Sequence, residues 1–500
     1  MSGSAFHKNT TGRSYLWLIA AAVLLVVSNG RWIAPVAAWL APLFLIRFLR
    51  SRRPLSGIVI GAVGYVAASM VMWLRMLMTG GWDWFSVLFV GAMGVVMFLP
   101  FVLDRLIAPR HHGFVSTLVF PLAWTTMEYI VSLVSPFATY SNLAYTQYGN
   151  LPLMQLASIT GIWGIAFLVT WFASTANYVW EGEFHIARIR QALYIYGGIL
   201  AIVLLYGGVR ISYFAPAGKT VRIAGILRSD GYRDEMSTAE YLRDKQAVGF
   251  AERDRLLAQS RRAAQLGANV VIWQETAVSL IYEEEAFLAP GYEVAREEGI
   301  YLGMTYYTVS RNADGEPADR GEAVTLPDNK FVMIDPNGEI VWEYHKAHPL
   351  FGEHIEPGDG VIPFVATPFG IIAPVICFDL DVPDYIGKVG RHGGDILLAP
   401  SFDWRQITPL NTHAAVFRAV ENGCALVRCT AHGLSVGVDC QGRVRGALDS
   451  FTTDERVMIC DVPVDGVGTL YPHIRDLFAW IMAVGFVLIA VMSLIVRPRR

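Results

Sequence analysis

Hydrophobic positions along this chain fall into two regimes. Unbroken apolar runs recur near 14–29, 32–48, 56–78, 84–103, 114–135, 151–180 and 191–213, and again at 475–496. A helix needs about 20 such residues to cross ~30 Å of hydrocarbon. The runs predict eight crossings, the first two short. From 214 to 474 the pattern breaks into shorter alternating and amphipathic stretches, as in a water-soluble domain. The expected organisation is a transmembrane bundle over 1–213, a folded domain over 214–474, and a closing transmembrane helix with a basic tail over 475–500.

Within the folded domain, TVRIAGIL (220–227) and NVVIW (269–273) read as strands. Residues 240–266 carry a helical apolar period with charges on the opposite face. A helix is expected at 283–299 and a strand at 301–309. KFVMID and EIVWEYHK flank the turn Pro336-Asn337-Gly338 and predict a hairpin. Further strands are expected at 395–401 and near 425–430, 434–439 and 456–462, with a helix around 408–423. Interleaved strands and helices predict a layered α/β domain. There is no GxGxxG after a strand, no Walker loop and no HExxH. Nucleotide and metalloprotease functions therefore lack support.

Composition adds little to the fold but narrows the partners. The chain is 54% hydrophobic, more than a soluble domain usually carries. Its net charge of −3 argues against nucleic acid. Positive charge is concentrated at Arg47, Arg50, Arg52 and Arg53, at Arg105 and Arg110, at Arg188 and Arg190, and at Arg497, Arg499 and Arg500. The alternate loops (28–31, 79–83 and 135–148) hold few positive charges. With a cytoplasmic N-terminus the basic segments share one side, which places the folded domain on the outer face. The first apolar run lacks a good cleavage site and is followed directly by further spans, unlike a signal peptide. All five cysteines lie in the folded domain without CxxC or His/Cys ligand spacing. No metal or cofactor is expected.

The candidate chemistry sits at strand ends. Glu275 follows NVVIW, Lys346 follows IVWEYH and Cys377 follows IIAPVI. A thiol at a strand end just before a helix start is rigidly held, near backbone N–H groups that favour the thiolate. A shielded carboxylate can take and return its proton, and an ammonium can steady a developing oxyanion. Each residue has an ordinary alternative: Glu275 as a cap, Lys346 as a solvated strand end, Cys377 as a packed thiol. His345 and His348 read as surface residues. Glu128, inside WTTMEYIV, is an intramembrane carboxylate, either functional or, as we expect, hydrogen-bonded within the bundle. The aromatic stretch after it suits a re-entrant or interfacial segment.

The order Glu, Lys, Cys, with VVIWQET, YHKAHPLFGEHIEPGD and VICFDLDVPD, resembles the carbon–nitrogen hydrolase (nitrilase) superfamily. With preceding and following spans, and with FPLAWTTMEYIV and LPLMQLASITGIWGIAFLV, the chain resembles the membrane-embedded branch of that superfamily, the apolipoprotein N-acyltransferases. The resemblance implies a multi-pass helical bundle carrying an extracytoplasmic nitrilase-like α-β-β-α sandwich. It implies Glu275 as general base, Lys346 as oxyanion stabiliser, Cys377 as nucleophile and Glu353 as a second supporting glutamate. Phe378 and Asp379, where the family has Tyr-Glu, are expected to bind substrate together with Trp404. Arg418 and Glu421 are expected as structural partners behind the site. The sequence departs from the family at KAHPLFGE, at Asp379, at SFDWRQITP and at CTAHGLS.

The implied activity is transfer of an acyl chain from a phospholipid, through a Cys thioester, to the amine of a diacylated lipoprotein. It places the protein in the bacterial inner membrane among membrane lipids, with the catalytic domain facing the periplasm. Leu280, Ile281, Phe287, Leu288, Trp404 and Ile407 would guide lipid tails. Two other functions compete: a membrane-tethered amidase or nitrilase, and a scaffold with an inactive nitrilase-like domain.

Overall fold

The computed structural model describes the chain except residues 1–2, 31, 78–83, 215, 217, 230–238, 316, 318–324 and 496–500. The 79–83 loop, much of the 311–322 loop and the basic tail Arg497, Arg499 and Arg500 thus lie outside the described residues, as does the side chain of Leu280. Two compact units emerge: Met1–Tyr213 with Ile474–Arg500, and Phe214–His473.

The first unit is helical. Among the described residues six helices are long and apolar enough to cross a membrane: Pro54–Met72, Trp84–Arg110, Phe114–Val134, Ile162–Glu181, Ile186–Tyr213 and Leu477–Ile495. Eight were expected, and the first two fall short for visible reasons. The apolar part of the first is only Ser14–Val26. The second, Pro35–Arg50, has 16 residues and ends on Arg47 and Arg50. There Arg50 forms an ion pair with Asp104 at 2.8 Å. The run expected over 151–180 is also broken, into Leu151–Met154, Ala157–Thr160 and Ile162–Glu181. Gly161, at φ 62°, turns the chain where an L side chain would be strained.

Glu128 lies in Phe114–Val134 and is 7% exposed. Its carboxylate accepts from Asn142 Nδ2 at 3.0 Å and from the Leu143 N–H at 2.9 Å. Leu143 opens a buried 3-10 turn, Leu143–Gln147, whose first N–H groups have no partner inside the turn. The intramembrane carboxylate is therefore a structural acceptor. It also borders a cavity of about 140 Å³ between aromatic and methionine side chains, among them Tyr65, Trp73, Met93 and Trp124.

The second unit is built on two sheets. Its strands are β1 (Thr220–Ile226), β2 (Val270–Trp273), β3 (Val278–Ile281), β4 (Tyr301–Thr308), β5 (Asn329–Ile334), β6 (Ile340–His345), β7 (Val365–Thr367), β8 (Gly370–Pro374), β9 (Ile396–Phe402), β10 (Ala425–Ala431), β11 (Leu434–Val438), β12 (Val444–Asp449) and β13 (Val457–Pro463). One sheet runs β13-β1-β2-β4-β5-β6, with β3 beside β4, and the other β12-β11-β10-β9-β8-β7. β1–β2, β2–β4, β8–β9 and β9–β10 are parallel pairs. Strands covered on both faces need apolar residues at almost every position. β2 and β10 show this, being buried throughout.

The two sheets share one core. Val221, Ile223, Val270, Ile272 and Phe331 of the first pack with Ile372, Ile396, Leu398 and Val427 of the second. On its other face the first sheet buries Ala224, Ile226, Val271 and Trp273 against Leu256, Leu257, Phe287 and Val294 of helices Ala239–Gln265 and Glu284–Glu298. Helices Pro383–Arg391 and Leu410–Asn422 accompany the second sheet. The result is the expected α-β-β-α sandwich. Ile281, Phe287 and Leu288 belong to this helix–sheet core, so they are not the lipid guides expected of them.

Candidate active site

β2 is buried along its length and delivers Glu275 two residues beyond Trp273, in a strand–turn step where Thr276 adopts φ 48°. Hairpin register does the same for Lys346. β5 and β6 pair antiparallel, with Lys330 opposite His345, so the next position outward sets Lys346 opposite Asn329. The Lys346 N–H donates to the Asn329 carbonyl at 3.0 Å. The Asn329 side chain then donates to Glu275 Oε1 at 2.8 Å. From the second sheet, β8 leads into the 3-10 turn Cys377–Asp381. Cys377 opens that turn at φ 46°, a left-handed conformation that costs a non-glycine residue energy and recurs at functional sites.

Lys346 is the hub. Its Nζ lies 2.9 Å from Glu275 Oε1, and 2.9 and 2.7 Å from the two oxygens of Glu353. Glu353 is held in turn by the Leu350 N–H at 2.8 Å. Glu275 and Lys346 are each only 2% exposed. Burial alone would lower the Lys346 ammonium, but the Glu275 charge, followed by Cys377 and Glu353, raises it above its ordinary range. The lysine is firmly cationic. Burial lifts the Glu275 carboxyl above the ordinary carboxylate range even though Lys346 opposes it.

The Cys377 thiol interacts with Glu275 and reaches the Phe402 carbonyl at 3.9 Å. Burial, then the Glu275 charge, pushes it well above the usual thiol range. The sequence reading expected backbone N–H groups to favour a thiolate at rest. The surroundings instead hold a protonated thiol that needs a base, because desolvation outweighs Lys346.

The remaining expected residues divide. Phe378 and Trp404 are half-buried, one beside Cys377 and the other in the turn after β9. Asp379, expected to meet substrate, is 0% exposed. Its oxygens accept from the Ile376 N–H at 2.9 Å, the Tyr344 hydroxyl at 2.7 Å and the His348 N–H at 2.8 Å, with His348 Nδ1 at 3.0 Å. A carboxylate so enclosed pins the turn that carries Cys377 to the end of β6, and it offers no open face. Arg418 and Glu421 pair at 2.9 Å, both fully buried.

Sequence reasoning missed Asn329, and the Asp403–Arg428 pair at 2.7 Å beside the thiol's turn. Asn329 had only half a signal: counting residues outward from the Pro336-Asn337-Gly338 turn sets it across from His345, and a bulge between Met333 and Ile334 moves it by one residue, to Lys346. The Asp403–Arg428 pair had none, because the register of two parallel strands joined by a helix cannot be counted from a turn.

Comparison with known proteins bears on the whole chain. The carbon–nitrogen hydrolase family matches residues 250–471, and the apolipoprotein N-acyltransferase N-terminal domain matches residues 14–175. Apolipoprotein N-acyltransferase of Geobacter metallireducens is 27% identical, covering 96% of this chain and 95% of the relative. This chain belongs to the apolipoprotein N-acyltransferase family. Apolipoprotein N-acyltransferase 2 of Treponema pallidum is 23% identical, over 83% and 82% of the two chains. Among solved structures, an amidase from Nesterenkonia sp. aligns with a TM-score of 0.40 at 18% identity, covering 52% of this chain and 95% of that one. The six long apolar helices make the family member a multi-pass membrane protein.

Proposed function

We propose that the protein acylates lipoproteins: it moves an acyl chain from a phospholipid, through a thioester on Cys377, to the free amine of an N-terminal diacylglyceryl-cysteine. The observation that carries this reading is Lys346 bridging Glu275 and Glu353 next to a half-open, conformationally strained Cys377. Relatives named for the same activity match almost the whole chain.

The chemistry divides into two half-reactions. Glu275 takes the Cys377 proton, and the thiolate attacks the ester carbonyl of the phospholipid. Lys346 lies where it can offset the oxyanion charge, with no reorganisation at the moment of reaction. The tetrahedral intermediate collapses, the C–O bond breaks, and Glu275 returns the proton to the departing lysophospholipid alkoxide. The lipoprotein amine next attacks the thioester carbonyl and gives up a proton to Glu275. The C–S bond breaks, and the sulfur leaves as a thiol once more. Glu353 holds Lys346 in place while Glu275 changes its charge. Phe378 and Trp404 are the apolar surface we assign to the acyl chain. We also place Phe214–His473 on the outer face of the cytoplasmic membrane, from the Arg-rich loops on the opposite side.

Complementation tests the reading. In cells depleted of their own apolipoprotein N-acyltransferase, this chain should restore N-acylated lipoprotein N-termini, read by mass spectrometry, and Cys377→Ala should not. Free-amine N-termini with the wild-type chain would sink the proposal. Lipid-independent hydrolysis of short amides would favour the amidase instead.

A further inference from the structure

Alternation along β5 sorts its side chains onto two faces. Val332 and Ile334 join the core between helices and sheet, whereas Phe331 and Met333 join the core between the two sheets. Asn329 shares the parity of Phe331 and Met333, so it stands on the face turned toward the second sheet. Lys330, of the other parity, reaches away to Glu284 and Glu343 at 2.7 Å each. Across the hairpin, Phe331 lies opposite Tyr344 and Met333 opposite Trp342. Those partners belong to the same inter-sheet core, against which Cys377 also packs. Asn329 and Lys346 continue this row of cross-strand pairs to the end where Glu275 stands.

Asn329 is 1% exposed, and its side-chain amide is answered on one side only. Nδ2 donates to Glu275 Oε1 at 2.8 Å, and the same oxygen accepts from Lys346 Nζ at 2.9 Å. An oxygen that takes an ammonium bond is an acceptor, so the amide must present its nitrogen there. Oδ1 is thereby fixed on the other side of the amide, buried and with no donor among the described residues. Interiors seldom leave such an acceptor unanswered, so the position fits a donor from outside the chain. That donor would lie beside Glu275, whose two side-chain bonds to Lys346 and Asn329 both use Oε1 and leave Oε2 for proton exchange.

The two half-reactions differ in what they bring here. A phospholipid ester has no N–H at its reacting carbonyl, whereas a primary amine has two. When the amine lone pair forms the new C–N bond, one of those protons must leave and the other stays in the product amide. A carboxylate suits the proton that leaves. An amide oxygen accepts a hydrogen bond without taking the proton, so it suits the one that stays.

We propose that Asn329 Oδ1 accepts the retained N–H of the attacking amine and so selects a primary amine as the acyl acceptor. The proposal rests on the acyl-transfer reading and adds to it how the second substrate is oriented. The nitrogen is held between Glu275, for the proton it loses, and Asn329, for the proton it keeps, with its lone pair toward the thioester carbonyl. As the C–N bond forms and the C–S bond breaks, the lost proton passes through Glu275 to the departing sulfur.

The test compares two acceptors on one thioester. Full-length protein in detergent is loaded with an acyl chain on Cys377, then discharged with a diacylglyceryl-cysteine peptide or with its N-methyl counterpart, whose free amine has a single N–H. Mass spectrometry follows both rates. Asn329→Leu keeps the bulk of the side chain and removes Oδ1, so the ratio of primary to N-methyl rates should fall about 10-fold, the loss expected for one buried hydrogen bond. Weaker bracing of Glu275 slows both acceptors alike and cancels in the ratio. A ratio that does not fall overturns the proposal and leaves Asn329 as a brace alone. A second measurement does not depend on the folding of that variant. Cys377→Ala protein is titrated with both peptides by calorimetry at pH 9, above the ordinary α-amine range of about 8, where the amines are neutral. The primary amine should bind about 10-fold more tightly, and equal affinities overturn the proposal. A wild type that forms no thioester, or passes it to water alone, would defeat the acyl-transfer reading, and the titration would still decide Asn329.

Discussion

Both units of this protein keep a glutamate out of water, and they do it differently. In the bundle, Glu128 is answered by a side-chain amide and a peptide N–H, and it makes no ion pair among the described residues. In the sandwich, Glu275 is answered by the Lys346 ammonium as well as by the Asn329 amide. Neutral donors suffice to hold a carboxylate and to order the turn that supplies them. A carboxylate that must exchange protons needs a fixed counter-charge, so that both of its protonation states are tolerable in the same place. Geometry alone separates a scaffold glutamate from the one we propose as a base, although each follows an apolar run in the sequence.

The contrast can be broken most sharply at Glu275. Glu275→Gln keeps the shape and removes the base, and thioester formation on Cys377, followed by mass spectrometry, should slow by about 10³-fold, within the range for general base catalysis. A variant that acylates its thiol at a near-wild-type rate would show that Glu275 is only another scaffold acceptor. The same carboxyl should govern the acid limb of kcat/KM. It is raised from 4.5 by burial, so activity should be lost as pH falls through a midpoint above 4.5, and the Gln variant should lack that limb.

An intermediate effect is expected at Glu128. Glu128→Ala leaves the Leu143 N–H and the Asn142 amide without their acceptor, at a cost of about 1–3 kcal/mol. Glu128→Gln still accepts from Leu143 and should cost less, and thermal unfolding in detergent would rank the two. Equal melting temperatures for Ala and wild type would remove the structural role.

The smallest effect concerns His345, next to Lys346 in sequence but on the partly exposed side of the hairpin. Hydrogen bonds that it donates to Asp328, then to Glu343, raise its pKa to about 9 against an ordinary 6.5. A raised histidine stabilises fully below 6.5 and loses that contribution as pH climbs through 9. His345→Asn should therefore narrow the difference in melting temperature between pH 6 and pH 10. An unchanged difference would mean solvent screens the pair completely.

What the sequence made legible follows from the same physics. Glu275, Lys346 and Cys377 stood out because buried strands write long apolar runs, and a charged or reactive residue at the end of such a run is conspicuous. The expected strand NVVIW corresponds to β2, and KFVMID and EIVWEYHK to β5 and β6. β3, β7 and β12 went unseen. β7 has three residues, and β12 is mostly exposed, so neither carries enough buried positions to show a period. The burial of Asp379 was equally hidden. Whether a carboxylate faces solvent or an enclosed turn depends on Tyr344 and His348, both more than 30 residues away.

The cysteines carry one more consequence. Cys424, Cys429, Cys440 and Cys460 are buried, and Cys429 and Cys460 lean on the Ile226 and Ile223 carbonyls at 3.6 Å as ordinary core side chains. Only Cys377 is partly open. Toward an alkylating probe, a chain with five thiols should behave as though it had one. The amount of label taken up by the folded protein would then count competent molecules directly, and full denaturation would uncover the other four.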